Sequence, residues 1–132
     1  MAAVVVETSF LIDLEREQHA RVGGSAHAFL EQHPADRLYI TETIVGEMAC
    51  GVVPSGLARL ERLVEPFGVL AITRAVAFEY GRIYRYLSAN GLLIGSNDLW
   101  IAAAARAFDC AIVTADTDHY VRVPDLEVLA YR

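Results

Sequence analysis

The chain has 132 residues, 55% of them hydrophobic and 21% charged, and a formal net charge of −6. That length suits one domain with a full core, and the composition excludes intrinsic disorder. No run is long and apolar enough to span a bilayer, Met1 to Val6 lacks the basic flank of a secretory signal, and the acidic balance excludes a protein that coats nucleic acid by bulk charge.

Ala3 to Val6 reads as a short buried parallel strand, rich in β-branched residues. Thr8-Ser9 then offers an N-cap for a helical segment over Phe10 to Leu14. Ser25 to His33 fits a second helix with Ala26, Phe29 and Leu30 on one face, broken at Pro34. Leu38 to Ile40 is strand-like. Thr41 and Thr43 are candidate caps for a helix that runs through Glu47 to Cys50 and ends at Gly51. After the turn Pro54-Ser55-Gly56, a helix spans Leu57 to Val64, and Val69 to Ile72 is a further strand. The long helix Arg74 to Ala89 carries an apolar stripe of Val76, Tyr80, Ile83, Tyr84 and Leu87, and Asn90-Gly91 stops it. Ser96 is the expected N-cap of a helix to Phe108, with Asp98 in its first turn. Ala111 to Val113 is a strand, Thr114-Ala115-Asp116 a turn, and Leu126 to Ala130 a last strand. Strands alternating with helices predict an α/β fold: one domain over residues 1–132, in three layers, with a central, mainly parallel sheet covered on both faces.

In this order Glu7, Glu47, Asp98 and Asp116 all fall where a strand ends or a helix begins, the edge at which ligands collect in α/β folds. Four carboxylates gathered there repel one another unless cations neutralise them. The chain has no lysine, which also removes a P-loop and the usual phosphate contact of a receiver-like phosphoacceptor. Hard oxygen donors in such a set point to Mg2+ or Mn2+, and so to metal-activated water acting on a phosphate ester. Singly, each acid also serves as an ordinary helix-start charge. Cys50 and Cys110 read as small buried residues in a reducing cytoplasm, and no Cys/His spacing suggests zinc. His19, His27 and His33 read as surface residues, while His119 lies close in sequence to Asp116 and Asp118.

Four stretches together resemble the PIN-domain ribonucleases, in particular the VapC-type toxins of type II toxin–antitoxin pairs. They are Val5-Val6-Glu7-Thr8-Ser9-Phe10-Leu11-Ile12-Asp13-Leu14, Thr41-Glu42-Thr43-Ile44-Val45-Gly46-Glu47, Asn97-Asp98-Leu99-Trp100-Ile101-Ala102-Ala103-Ala104-Ala105 and Val113-Thr114-Ala115-Asp116. The resemblance covers essentially the whole chain. It implies Mg2+- or Mn2+-dependent cleavage of structured RNA of the tRNA or rRNA class, a homodimer, and inhibition by a cognate antitoxin protein. Glu47, Asp98 and Asp116 fall on the family's acidic positions, and Thr8, Ser9 and Thr114 on its polar neighbours. Where the family usually has aspartate as its first acid, this chain has Glu7. The longer side chain predicts either a compensating shift or a weakened enzyme acting mainly through its antitoxin, because Mg2+ demands near-ideal geometry.

Asp118 is a supporting candidate, and Asp13 is expected to be a solvated surface residue. Tyr80, Arg82, Tyr84, Arg85 and Tyr86 form an aromatic and basic cluster, of which Arg82 and Arg85 are candidate RNA contacts. Phe10, Leu11, Leu14, Val52, Val53 and Leu57 are expected to form an apolar groove, where the resemblance implies that an antitoxin helix docks.

Overall fold

The computed structural model describes residues 2–132. Its centre is β1 (Ala3–Val6), whose Val4, Val5 and Val6 are fully buried because a strand lies on each side of them. The chain continues through α1 (Thr8–Ala20), α2 (Ser25–Gln32), β2 (Arg37–Thr41), α3 (Glu42–Cys50) and, after a 3-10 turn at Pro54–Gly56, α4 (Leu57–Val64). It is completed by β3 (Gly68–Leu70), α5 (Arg74–Ala89), α6 (Ser96–Ala107), β4 (Ala111–Thr114), α7 (Thr117–Tyr120) and β5 (Val128–Ala130).

All pairings are parallel, in the order β3-β2-β1-β4-β5. Val5 lies opposite Tyr39 on one side and Ile112 on the other. From β1 the chain steps outward to β2 and β3, then returns across the sheet to β4 and continues outward to β5. Right-handed crossovers place the helices of those two halves on opposite faces, giving the α/β/α layering. The direction of travel reverses between β1 and β4. A crevice therefore opens beyond their carboxyl ends, the place where such sheets bind ligands.

Small side chains let α6 pack closely: Ala102, Ala103, Ala104 and Ala105 are all buried beside Leu99 and Ile101. Its partner α5 contributes Val76, Ile83 and Leu87, and Tyr80 stacks on Trp100 with ring centroids 4.2 Å apart. Asn90 caps α5 and Gly91 turns the chain at φ 67°, a region glycine enters without strain.

Several local expectations are corrected. Glu7, not Thr8 or Ser9, is the N-cap of α1; its side chain accepts from the Ser9 amide, and the helix extends to Ala20. Gly95 rather than Ser96 precedes α6, with no side-chain cap bond. Strand β3 stops at Leu70, leaving Val69 and Ile72 about half exposed at the sheet edge. Tyr84 leaves the apolar stripe of α5, since Ile83 takes the inward position. Cys50, the last residue of α3, is exposed, whereas Cys110 is buried. The short α7 carries no helical periodicity and is absent from the sequence reading. Asp13 is not solvated: it accepts from the Tyr131 hydroxyl at 2.6 Å and from Arg132 Nε at 2.8 Å.

Candidate metal centre

The crevice between β1 and β4 is built around Tyr120, which is fully buried and donates to Asp98 Oδ1 at 3.1 Å. Burial pushes its phenol far above the ordinary range, and the negative fields of Glu7, Asp98 and Glu47 push the same way. The phenol thus stays protonated, a fixed donor to Asp98. Of the four sequence-predicted acids, Asp98 is the one in hydrogen-bond contact with this hydroxyl.

Glu7 follows β1 directly. Instead of projecting freely into the crevice it is held inward, only 6% exposed. Its Oε1 accepts from the Ser9 amide at 3.2 Å, Ser9 Oγ at 2.7 Å and Thr114 Oγ1 at 2.6 Å. Burial raises its carboxyl above the ordinary value, outweighing the opposing hydrogen bonds from Thr114 and Ser9; the charge on Asp98 also raises it. Because all three bonds go to Oε1, Oε2 keeps its lone pairs for another partner.

Asp98 lies in the first turn of α6. Asp116 follows β4, where its amide donates to Thr114 Oγ1 at 2.9 Å. Between their carboxylates sits His119, with Nδ1 2.7 Å from Asp98 Oδ2 and 3.2 Å from Asp116 Oδ2. Asp98, Asp116 and His119 each offer a ligand atom within 4.8 Å of the others. Glu47, on the second turn of α3, accepts from Thr8 Oγ1 at 2.7 Å. Neither it nor Glu7 belongs to the three-residue cluster.

A hard divalent cation fits this donor set. The two aspartates are close, Asp98 is oriented by the Tyr120 hydroxyl, and among the described residues Asp98 and Asp116 have no ion-pair partner except His119. Sequence reasoning favoured no role for His119 and did not single out Tyr120. The available signal was the spacing Asp116-Thr117-Asp118-His119, which puts positions i and i+3 on one side of a helical turn. Asp118 itself is exposed.

The other candidates lie away from the acids' hydrogen-bond network. Arg82 pairs with Glu79 at 2.6 Å, and Arg85 is exposed on the same helix beside Tyr84 and Tyr86. The expected groove is corrected in part. Phe10, Leu11 and Leu14 are core residues. A cleft of about 420 Å³ is instead lined by Ile12, Met48, Val52, Leu60 and Leu63, with Glu47 also on its wall. Val53 and Leu57 are exposed outside it.

A parallel sheet with carboxylates at its switch point is the arrangement of the PIN domain, whose family model matches residues 4–126; the chain belongs to this family. Within it the chain stands with the VapC ribonucleases. Ribonuclease VapC of Rickettsia bellii (strain RML369-C) is 30% identical over 132 residues, covering 96% of this chain and 94% of that protein. Among solved structures, VapBC-1 from nontypeable Haemophilus influenzae matches at 25% identity and a TM-score of 0.80, covering 98% of both chains. The fold alone is shared with DNA-bound VapBC from Salmonella typhimurium, at 20% identity, full coverage of both chains and a TM-score of 0.87.

Proposed function

We propose that this chain is a Mg2+- or Mn2+-dependent endoribonuclease toxin that cuts structured RNA and is held inactive by a cognate antitoxin. The observation that carries the reading is the Asp98–Asp116–His119 cluster, whose ligand atoms lie within 4.8 Å of one another, with Tyr120 holding Asp98 from behind. Bound at these acids, a divalent ion supplies charge neutralisation and Lewis acidity for phosphodiester hydrolysis. The residues themselves bind and orient. Tyr120 fixes one oxygen of Asp98. Ser9 and Thr114 fix Glu7 by one oxygen, and the other would remain available to a cation. Thr8 fixes Glu47. In the reaction, water's oxygen ends on the phosphate and its proton on the departing ribose oxygen, so a phosphate monoester and a hydroxyl end remain.

The antitoxin partnership is supported by the VapBC assemblies among the structural relatives. The cleft beside Glu47, with an apolar wall edged by Glu15, Arg16 and Arg59, suits an amphipathic antitoxin helix followed by a basic tail. Exposed Phe78, Tyr84 and Tyr86 on α5 suit either RNA stacking, with Arg82 and Arg85 on the phosphates, or the expected homodimer contact.

One observation favours a second reading, a weakened nuclease acting mainly through its antitoxin. Glu7 is folded back as a helix cap, so part of its carboxylate serves structure rather than the ion. A cleavage assay on folded RNA with Mg2+ or Mn2+, a chelator arm and Asp98→Asn separates the two. The first reading requires metal-dependent cleavage that the chelator and the variant both abolish. Equal traces of cleavage in parent and variant would support the second.

A further inference from the structure

We propose that His119 is itself a ligand of the divalent ion, completing an Asp98–Asp116–His119 donor set that makes the site favour Mn2+ over Mg2+. The proposal rests on the reading that these acids bind a divalent ion, and it adds a nitrogen donor to an otherwise all-oxygen site.

The geometry is specific. A single ring atom, Nδ1, faces both carboxylates at once, at 2.7 Å from Asp98 and 3.2 Å from Asp116. Neighbouring donors around an octahedral ion with bonds of about 2.1 Å lie roughly 3 Å apart, a spacing the two observed distances bracket. All three ligand atoms lie within 4.8 Å of one another, close enough for one ion to reach them together. The imidazole side chain is 40% exposed, so Nε2 can keep its proton toward solvent while Nδ1 turns its lone pair to the ion.

Glu7 Oε1 takes three hydrogen bonds and Oε2 makes none, which leaves Oε2 free to accept from another partner. Among the described residues no arginine pairs with Asp98, Asp116 or Glu7.

The donor chemistry sets the preference. Mg2+ is bound through oxygen and dehydrates reluctantly, so an imidazole in its shell is a poor exchange for water. First-row transition ions accept imidazole readily, and Mn2+ is the member of that series that also suits carboxylate. One nitrogen among oxygens thus penalises Mg2+ more than Mn2+.

The test uses metal-free full-length protein and needs no RNA. Pulsed electron paramagnetic resonance of bound Mn2+ should show nitrogen modulation, lost in His119→Ala. Calorimetry should show Mn2+ affinity falling by about tenfold or more in that variant, with Mg2+ affinity changing by less than about twofold. His119→Asp, which restores an oxygen donor, should bind Mg2+ more tightly than the parent. An oxygen-only Mn2+ spectrum in the parent, or equal losses for both ions, would overturn this inference and leave the metal-dependent nuclease standing. Failure of the parent to bind Mn2+ would overturn both. Should His119→Ala not fold, the parent spectrum still decides, because His119 is the one histidine in contact with these acids among the described residues.

Discussion

Replacing Thr114 by valine removes one hydroxyl and almost no volume, so it isolates the polar work done at the end of β4. That hydroxyl is fully buried, donates to Glu7 Oε1 at 2.6 Å and accepts from the Asp116 amide at 2.9 Å. A hydrogen bond to a charged group contributes about 1.5–3 kcal/mol, and a stranded amide costs up to about 1 kcal/mol more. Thr114→Val should therefore destabilise the metal-free protein by about 2–4 kcal/mol at pH 8, a fall in Tm of roughly 8–15 °C for a chain of this size. The loss should also depend on pH. Burial already holds the folded Glu7 carboxyl above its ordinary value of 4.5, against the opposing pull of Thr114. A carboxyl raised on folding binds its proton more tightly in the folded state. Its contribution is complete below the unfolded value and is lost as pH rises through the folded one. Without Thr114 the folded carboxyl rises further and that loss deepens. At pH 4, with Glu7 protonated, the hydroxyl meets a neutral group while the amide term remains, and the gap should shrink to about 1–2 kcal/mol. Urea denaturation of parent and variant at both pH values, in chelator, measures this. Equal gaps at pH 4 and pH 8 would refute the account of Thr114 as the group that holds the Glu7 charge.

Glu7→Asp shortens the first acid and should raise metal-dependent RNA cleavage, by up to about a hundredfold if misplacement of roughly 1 Å limits the parent; unchanged turnover would show that reach is not the limitation. Glu17 caps α2 through the amides of Gly24, Ala26 and His27 and the ring of His27. Partial burial raises its carboxyl, but those bonds outweigh it and hold the group at about 2. Its contribution is therefore full above its ordinary value of 4.5 and is lost as pH falls through about 2. Glu17→Gln should lower Tm at pH 7, with the difference from the parent fading on acidification below pH 4; a gap that grows toward acid would reverse the assignment. In the native protein a thiol reagent should modify Cys50 rapidly and Cys110 only on unfolding, since Cys50 is exposed while burial both hides the Cys110 thiol and raises its ionisation above the ordinary range. Two fast thiols would contradict the packing around Cys110.

The elements legible in sequence were those whose periodicity and punctuation agree. Leu57–Val64 and Arg74–Ala89 are bounded by Gly56 and by Asn90-Gly91, and the structure keeps those limits. The parallel sheet followed from apolar strands alternating with helices. The site was legible as positions but not as contacts. That Glu7 belongs at the end of β1 is local information. That it turns back to cap α1 is not, because the turn depends on Thr114, which pairing of β1 with β4 brings alongside. His119 was under-read for the same reason: its partner Asp98 lies on α6, and the four-residue α7 that aims it has no pattern long enough to recognise. Cys50 and Tyr84 were misplaced because an apolar neighbourhood in sequence does not tell which side of a helix a residue takes.

The Thr114–Glu7 bond joins residues 107 positions apart, and β1 stays without its β4 neighbour until that separation is closed. A chain emerging from the ribosome therefore carries Glu7, Glu47 and Asp98 into solution before it owns the strand that assembles them. Contacts of such long sequence separation form late. This ordering acts as a built-in delay: the edge that carries these acids closes only once β4 has been made and has joined β1.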